Sequence, residues 1–183
     1  MIAAIIAMPA LGVQITTVFE GTIDGRLDNV AFTNQSFVVT AIGDTDNLVS
    51  FDAGPDGSGF DLPIDSVTIS LPGLNGGTTL DVTSTTFVSV NNGNGSIGFT
   101  DENFFSGVFV SDPTFDTYGL STSLSPVTSS GVSNDFPIFE TDGGDFIFGA
   151  GTPSLTFSAT LIPEPGSLAL IGLGGLLIVR RKR

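Results

Sequence analysis

Hydrophobic and polar residues alternate with a period of two along much of this chain. In residues 154–161, Leu, Phe and Ala alternate with Ser and Thr, and residues 66–71 repeat the pattern with Val, Ile and Leu. This period predicts β-strands that bury one face. Shorter runs rich in Val, Ile, Thr and Phe predict further strands at residues 17–23, 30–33, 36–42, 48–51, 78–82, 85–90, 96–100, 107–110, 136–140 and 145–148.

Clusters of Gly, Asn, Asp and Pro separate the predicted strands. The Asn-Gly-Asn-Gly sequence at residues 92–95 predicts a hairpin turn, because Asn and Gly tolerate the positive φ angles that such turns use. Residues 112–135 are the least regular, so we expect long loops there. Many short strands with closely spaced turns predict an all-β domain over residues 13–162, a β-sandwich of which the jelly roll is one form.

Apolar segments stand at both ends of this predicted domain. Residues 2–8 form a short apolar run, and the following Pro-Ala-Leu-Gly at residues 9–12 fits the small-residue pattern of a signal-peptide cleavage site. We therefore predict that residues 1–12 are the remnant of a signal peptide, although no positive charge precedes the apolar run. An apolar N-terminal strand is the alternative interpretation.

The other apolar segment, residues 168–179, contains 12 consecutive apolar or Gly residues and precedes Arg180, Arg181, Lys182 and Arg183. Even a helix of about 14 residues would reach only about 21 Å, less than the roughly 30 Å of a hydrocarbon core. Four cations after the run nevertheless favour a short transmembrane helix with its C-terminal end in the cytoplasm. We expect this helix to be separate from the β domain.

The segment that leads into this predicted helix carries a recognisable motif. Pro163, Glu164 and Pro165 come first, then a Gly-rich apolar run, and then the cluster that begins with Arg180 and Arg181. This order resembles the PEP-CTERM protein-sorting signal. The resemblance implies a Gram-negative bacterium that makes exopolysaccharide, and a protein that is exported and transiently anchored in the inner membrane. An exosortase would recognise these five residues and cleave the tail, sending the body to the cell surface or beyond.

Composition narrows the chemistry of the body. The chain has no Cys, His or Trp, which excludes disulfides, the usual zinc sites and a Ser-His-Asp triad. It contains 19 acidic and five basic residues, and of the basic ones only Arg26 precedes the tail. So acidic a body does not suit nucleic-acid binding, which needs a basic face. The 16 Phe residues are the expected source of a bulky core.

Acidic clusters are the candidate metal ligands. Asp44, Asp46, Asp52 and Asp56 lie close together in sequence within turn-forming segments. Calcium prefers six to eight oxygen ligands, and loops rich in Asp supply them, so these four residues are a candidate calcium site. The alternative is a solvated acidic surface on which Asp residues form turns. No other cofactor is expected.

These observations lead to two functional hypotheses. The first is an exported, non-catalytic surface or matrix protein that is linked to exopolysaccharide or biofilm. The second is a small secreted enzyme that acts on glycans through a pair of carboxylates. The single tyrosine, Tyr118, is expected in the core or at its rim, with sugar stacking as the alternative.

Overall fold

The computed structural model describes residues 13–52, 57–102, 107–133, 138–151 and 154–162. Strands make up most of these residues, and two short 3₁₀ helices, Thr45–Asn47 and Pro113–Asp116, lie between them. The strands are β1 (Gln14–Leu27), β2 (Val30–Asp44), β3 (Val49–Asp52), β4 (Ser58–Pro63), β5 (Ser66–Leu71), β6 (Thr78–Asp81), β7 (Thr86–Asn91), β8 (Ser96–Asp101), β9 (Gly107–Ser111), β10 (Leu124–Ser133), β11 (Phe139–Thr141), β12 (Gly144–Phe148) and β13 (Ser154–Ile162).

All of the strand pairings are antiparallel, and they link the strands into one large sheet. The main path runs β3-β4-β7-β8-β9-β10-β13-β1-β2-β5-β6, and β12 and β11 branch from the far end of β1. The all-β prediction is confirmed. The sheet is continuous, because β10 pairs with β13 over its first part and with β9 over its last.

The core lies where the two halves of this sheet face each other. The first half comprises β1, β2, β5, β6 and β11–β13, and the second comprises β3, β4 and β7–β9. Phe19 of β1 contacts Phe99 of β8 with ring centroids 6.4 Å apart, although these strands are not neighbours in the sheet. As expected, phenylalanine fills this core; the fully buried rings are Phe19, Phe37, Phe99, Phe115, Phe139, Phe146, Phe148 and Phe157.

The prediction of long loops over residues 112–135 is wrong for its second half, which forms β10. This strand escapes pattern analysis because its sequence, LSPVTSSGVS, is mostly small and polar. It forms a strand because its backbone pairs with β13 along one edge and with β9 along the other. Pro126 lies at the irregularity between Leu124 and Val127, where the absence of an N–H interrupts the ladder least.

The predicted hairpin at residues 92–95 is confirmed as the connection between β7 and β8. Gly95 has a φ of 59°, and the flanking Asn91 and Ser96 are paired across the strands. The Asn92 side chain also donates hydrogen bonds to the carbonyl oxygens of Phe115, at 2.6 Å, and Tyr118, at 2.9 Å. The turn therefore fixes the segment that contains the second 3₁₀ helix against the sheet.

Candidate functional site

The last strand of the body ends beside its first. Ile162, the final residue of β13, lies opposite Gln14, the first residue of β1, and Leu161 lies opposite Ile15. The Leu161 N–H donates a hydrogen bond of 2.9 Å to Ser123 Oγ. The chain is thus held in the sheet up to the residue before Pro163, so the body has no spacer before the candidate sorting signal.

The start of the body is fixed at the same place. The backbone N–H and the hydroxyl of Thr45 both donate to the carbonyl oxygen of Val13, at 3.0 and 2.9 Å. Asp44, at the end of β2, lies opposite Gln14. We call Val13, Gln14, Asp44, Thr45 and Ile162 the exit end. Both predicted membrane-directed segments, residues 1–12 and 163–183, join the body here.

The four candidate calcium ligands are only partly placed by the structure. Asp44 accepts a hydrogen bond of 2.9 Å from the Asp46 N–H and caps the first 3₁₀ helix, so that one of its oxygens already serves the backbone. Asp52 ends β3, and Asp56 lies outside the described residues. Within the described ranges, no three acidic side chains gather in a metal-binding arrangement. Because Asp56 is not among them, the calcium site stays a prediction.

Asp61, which was not among the residues predicted from the sequence, is a carboxyl whose pKa is raised by burial. Asp61 lies on β4, a strand that was not predicted, directly opposite Ser89 on β7. Burial raises the pKa of Asp61, and the nearby Ser89 side chain opposes that shift. Only the cross-strand register brings these two residues together.

Two further titratable groups have structural roles. Asp112 accepts hydrogen bonds from the backbone N–H and hydroxyl of Thr114, at 2.9 and 2.6 Å, which lower the pKa of its carboxyl. Tyr118 is 6% exposed and its ring contacts Phe115 and Phe157, while its hydroxyl donates to the Thr122 carbonyl at 2.8 Å. Burial raises the pKa of Tyr118. It is a core residue, as the favoured interpretation expected, and is not placed for sugar stacking.

The predicted sorting residues Pro163, Glu164, Pro165, Arg180 and Arg181 lie outside the described residues, as do the predicted signal peptide and transmembrane helix. In the part of the chain that the structure describes, no helix has the length and apolar character needed to cross a bilayer.

Comparison with known proteins identifies the tail. Residues 161–183 match the family model of the PEP-CTERM protein-sorting motif. The match begins at Leu161 and therefore includes the last two residues of β13, so the motif and the fold overlap. It supports export, with processing by an exosortase and membrane-associated sorting towards the cell surface. No curated protein and no solved structure matches the chain.

Proposed function

We propose that this chain is a non-catalytic protein of the cell surface or extracellular matrix, linked to exopolysaccharide or biofilm. In this proposal the tail holds the body at the inner membrane until an exosortase releases it. The observation that carries the proposal is the overlap between the sorting motif and β13. Because Ile162 is still paired with Gln14, cleavage beyond it leaves every strand that the structure describes in place.

The exit end fits this role in a second way. Residues 12 and 163 adjoin neighbouring positions of the body, so a leader and an anchor inserted in one membrane would both leave from one end of the sheet. The opposite ends of β1 and β2, at Leu27 and Val30, then point away from that membrane.

The intact mass of the exported protein tests this proposal. In cells with a working exosortase we expect a mass that lacks Leu168–Arg183, and in cells without it an uncleaved chain in the membrane fraction. A variant in which Pro163 and Pro165 are both replaced by Ala should behave like the exosortase deletion, whereas Val30→Ala, at the far end of the sheet, should be processed normally. An exported mass that retains the tail would make the segment an ordinary anchor.

The alternative function is a small secreted enzyme that acts on glycans. The raised pKa of Asp61 favours it, since a general acid must hold its proton near the working pH. The measurement is glycan turnover by the exported protein. Turnover that disappears in Asp61→Asn but persists in Glu20→Gln, an exposed carboxyl of β1, would establish the enzyme and end the non-catalytic proposal.

A further inference from the structure

The outward surface of the second half of the sheet carries a row of residues that crosses six strands. Register pairs Val49 with Asp61, Asp61 with Ser89, Ser89 with Gly98, Gly98 with Phe109, and Phe109 with Val132. These residues point away from the core, because the alternate residues of their strands are fully buried: Leu62, Val88, Val90, Ile97, Val108 and Val110. The ends of the row are open to solvent, with Val49 57% and Val132 48% exposed.

Two aromatic rings on this surface, those of Phe51 and Phe109, pack against the backbone of a neighbouring strand. The Phe109 ring occupies the space that a Cβ of Gly98 would need, and the tip of the Phe51 ring does the same at Gly59. Both phenylalanines are partly exposed. Each ring therefore covers the backbone of the neighbouring strand and is itself partly exposed to solvent. Gly59 and Gly98 lie two strands apart, about 10 Å across the sheet.

Polar atoms without partners lie between these rings. Among the residues that the structure describes, Asp61 Oδ1 and Ser89 Oγ have no hydrogen-bond partner, although the two side chains face each other across β4 and β7. The Ser89 side chain is near enough to Asp61 to lower the pKa of its carboxyl, but Asp61 Oδ1 and Ser89 Oγ do not have the geometry of a formed hydrogen bond. Buried donors and acceptors without partners destabilise a protein, so their retention needs an explanation. Rotation of these two partly exposed side chains would turn them towards a ligand.

The outward surface of the first half has a different character. The row that crosses β5, β2, β1, β13 and β10 contains Ser70, Val38, Glu20, Thr156 and Thr128. Thr128 and Thr156 satisfy each other through a hydrogen bond of 2.7 Å between their hydroxyls. Among the residues that the structure describes, these two outward rows therefore differ, and the half-exposed rings with unpartnered polar atoms lie on the second half of the sheet.

We propose that the surface formed by Val49, Phe51, Asp61, Ser89 and Phe109, here called the aromatic face, binds an uncharged polysaccharide chain. The proposal deepens the proposed matrix function and rests on it. A sugar ring presents C–H groups that pack on an aromatic ring, and it presents hydroxyls at its edge. The C–H groups would pack on the rings of Phe51 and Phe109. The hydroxyls would supply the hydrogen-bond partners that Asp61 and Ser89 lack.

Charge selects this ligand over two others. The body carries many carboxylates and one basic residue, Arg26, so an anionic polymer would be repelled. A symmetric dimer through this face would place two Asp61 carboxyls in one apolar interface. Burial in the single chain already disfavours the charged form of Asp61, and the dimer would add to that desolvation cost. A neutral glycan brings hydroxyls and no charge.

The test is a pull-down of full-length protein, solubilised in a detergent without a sugar headgroup, on insoluble cellulose and on the uncharged fraction of the cells' own exopolysaccharide. Alginate is the anionic comparison. We expect retention on at least one neutral polymer and none on alginate. The double variant Phe51→Leu, Phe109→Leu keeps apolar cover on both glycines but removes the rings, and retention should fall about tenfold. Val38→Ala, on the other outward surface, should bind normally.

Three results would overturn the proposal: no retention on either neutral polymer, equal retention of wild type and double variant, or a dimer in sedimentation that only the wild type forms. Thermal unfolding of each variant separates lost binding from lost folding, and Ser89→Ala provides a second, milder change that should also weaken retention. The matrix function is judged separately, from the amount of exported protein in the matrix fraction. If the wild type is found there while the pull-down fails, the matrix function stands and only the binding role of the aromatic face is overturned.

Discussion

Phe19 and Phe157 are partners both in register and in packing. They lie directly opposite each other on β1 and β13, and their ring centroids are 4.9 Å apart with the rings tilted by 58°. Phe157 also contacts Phe115, whose ring centroid is 5.7 Å away. One ring therefore connects the central strands with the segment that contains the second 3₁₀ helix.

Replacement of Phe157 by Ala should strongly destabilise the body. The side chain is fully buried among other rings, and its loss leaves a cavity, so we expect the free energy of unfolding to fall by about 3–5 kcal/mol. Phe157→Leu retains most of the volume and should cost much less. Urea unfolding measures both changes, and equal losses for Ala and Leu would contradict the packing role.

Gly107 should not tolerate a side chain. Its φ is 150°, and a Cβ would collide with the backbone carbonyl of Phe99, which cannot move without disturbing β8. We expect Gly107→Ala to lower the free energy of unfolding by about 3 kcal/mol. Gly151→Ala is the matched control, since no atom lies within 4 Å of the added methyl. A small effect at both positions would show that β8 can shift.

Asp61 should make stability depend on pH in a defined direction. Its folded pKa is raised above the ordinary value of 3.8, so between these two values the folded state binds more protons and stability falls as pH rises. Asp61→Asn should therefore stabilise the protein at pH 7 by less than about 1 kcal/mol, since the group is partly exposed. The gain should vanish below pH 3.8. Glu20→Gln removes the same charge from an exposed position, and an identical pH profile for both variants would attribute the effect to net charge alone.

Calcium binding by Asp44, Asp46, Asp52 and Asp56 predicts a higher unfolding temperature in millimolar CaCl₂, because a ligand of the folded state stabilises it. General screening of the acidic body would also stabilise it, so NaCl at equal ionic strength is the reference. Asp52→Asn and Asp56→Asn together should abolish the calcium-specific part. An unchanged midpoint in the wild type would leave these residues as turn formers on a solvated surface.

The pairing of Gln14 with Ile162 can be tested with cysteines, since the chain contains none. Residues directly opposite on antiparallel strands have Cα atoms about 4.5–5.5 Å apart, which suits a disulfide. We expect Gln14→Cys with Ile162→Cys to form one in the exported protein, seen as a loss of two mass units. Gln14→Cys with Val30→Cys, at opposite ends of the sheet, should stay reduced. Crosslinking of the second pair alone would refute the described register.

Strands were predictable where one face is apolar and the other polar. Residues 66–71 match β5 from end to end, and 154–161 match β13 to within one residue. The prediction separated 30–33 from 36–42, whereas the structure has a single β2. Asn34 adopts a φ of 49° there, and its N–H is held at 2.7 Å by Asp24 Oδ1 beside a register shift in β1. That interaction is not visible in a sequence pattern.

The sorting signal could be recognised from sequence because its residues are contiguous. The aromatic face could not, since its residues come from four strands, β3, β4, β7 and β9, and are brought together only by the register of the sheet. A weak signal was nevertheless present in β9, where Phe109 stands between Val108 and Val110. An apolar residue on both faces of a strand indicates that neither face is simply solvated.

The exit end also determines how the body responds to a pulling force. As long as a leader and a tail both hold it, tension enters at Gln14 and Ile162, which face each other at the open ends of β1 and β13. Such a load peels the two strands apart, breaking their hydrogen bonds one after another instead of all at once. A body held at both ends would therefore be mechanically weak along this path. Release of either segment would remove the opposing pull, and a body processed in this way would bear load only through the surfaces that it presents to other molecules.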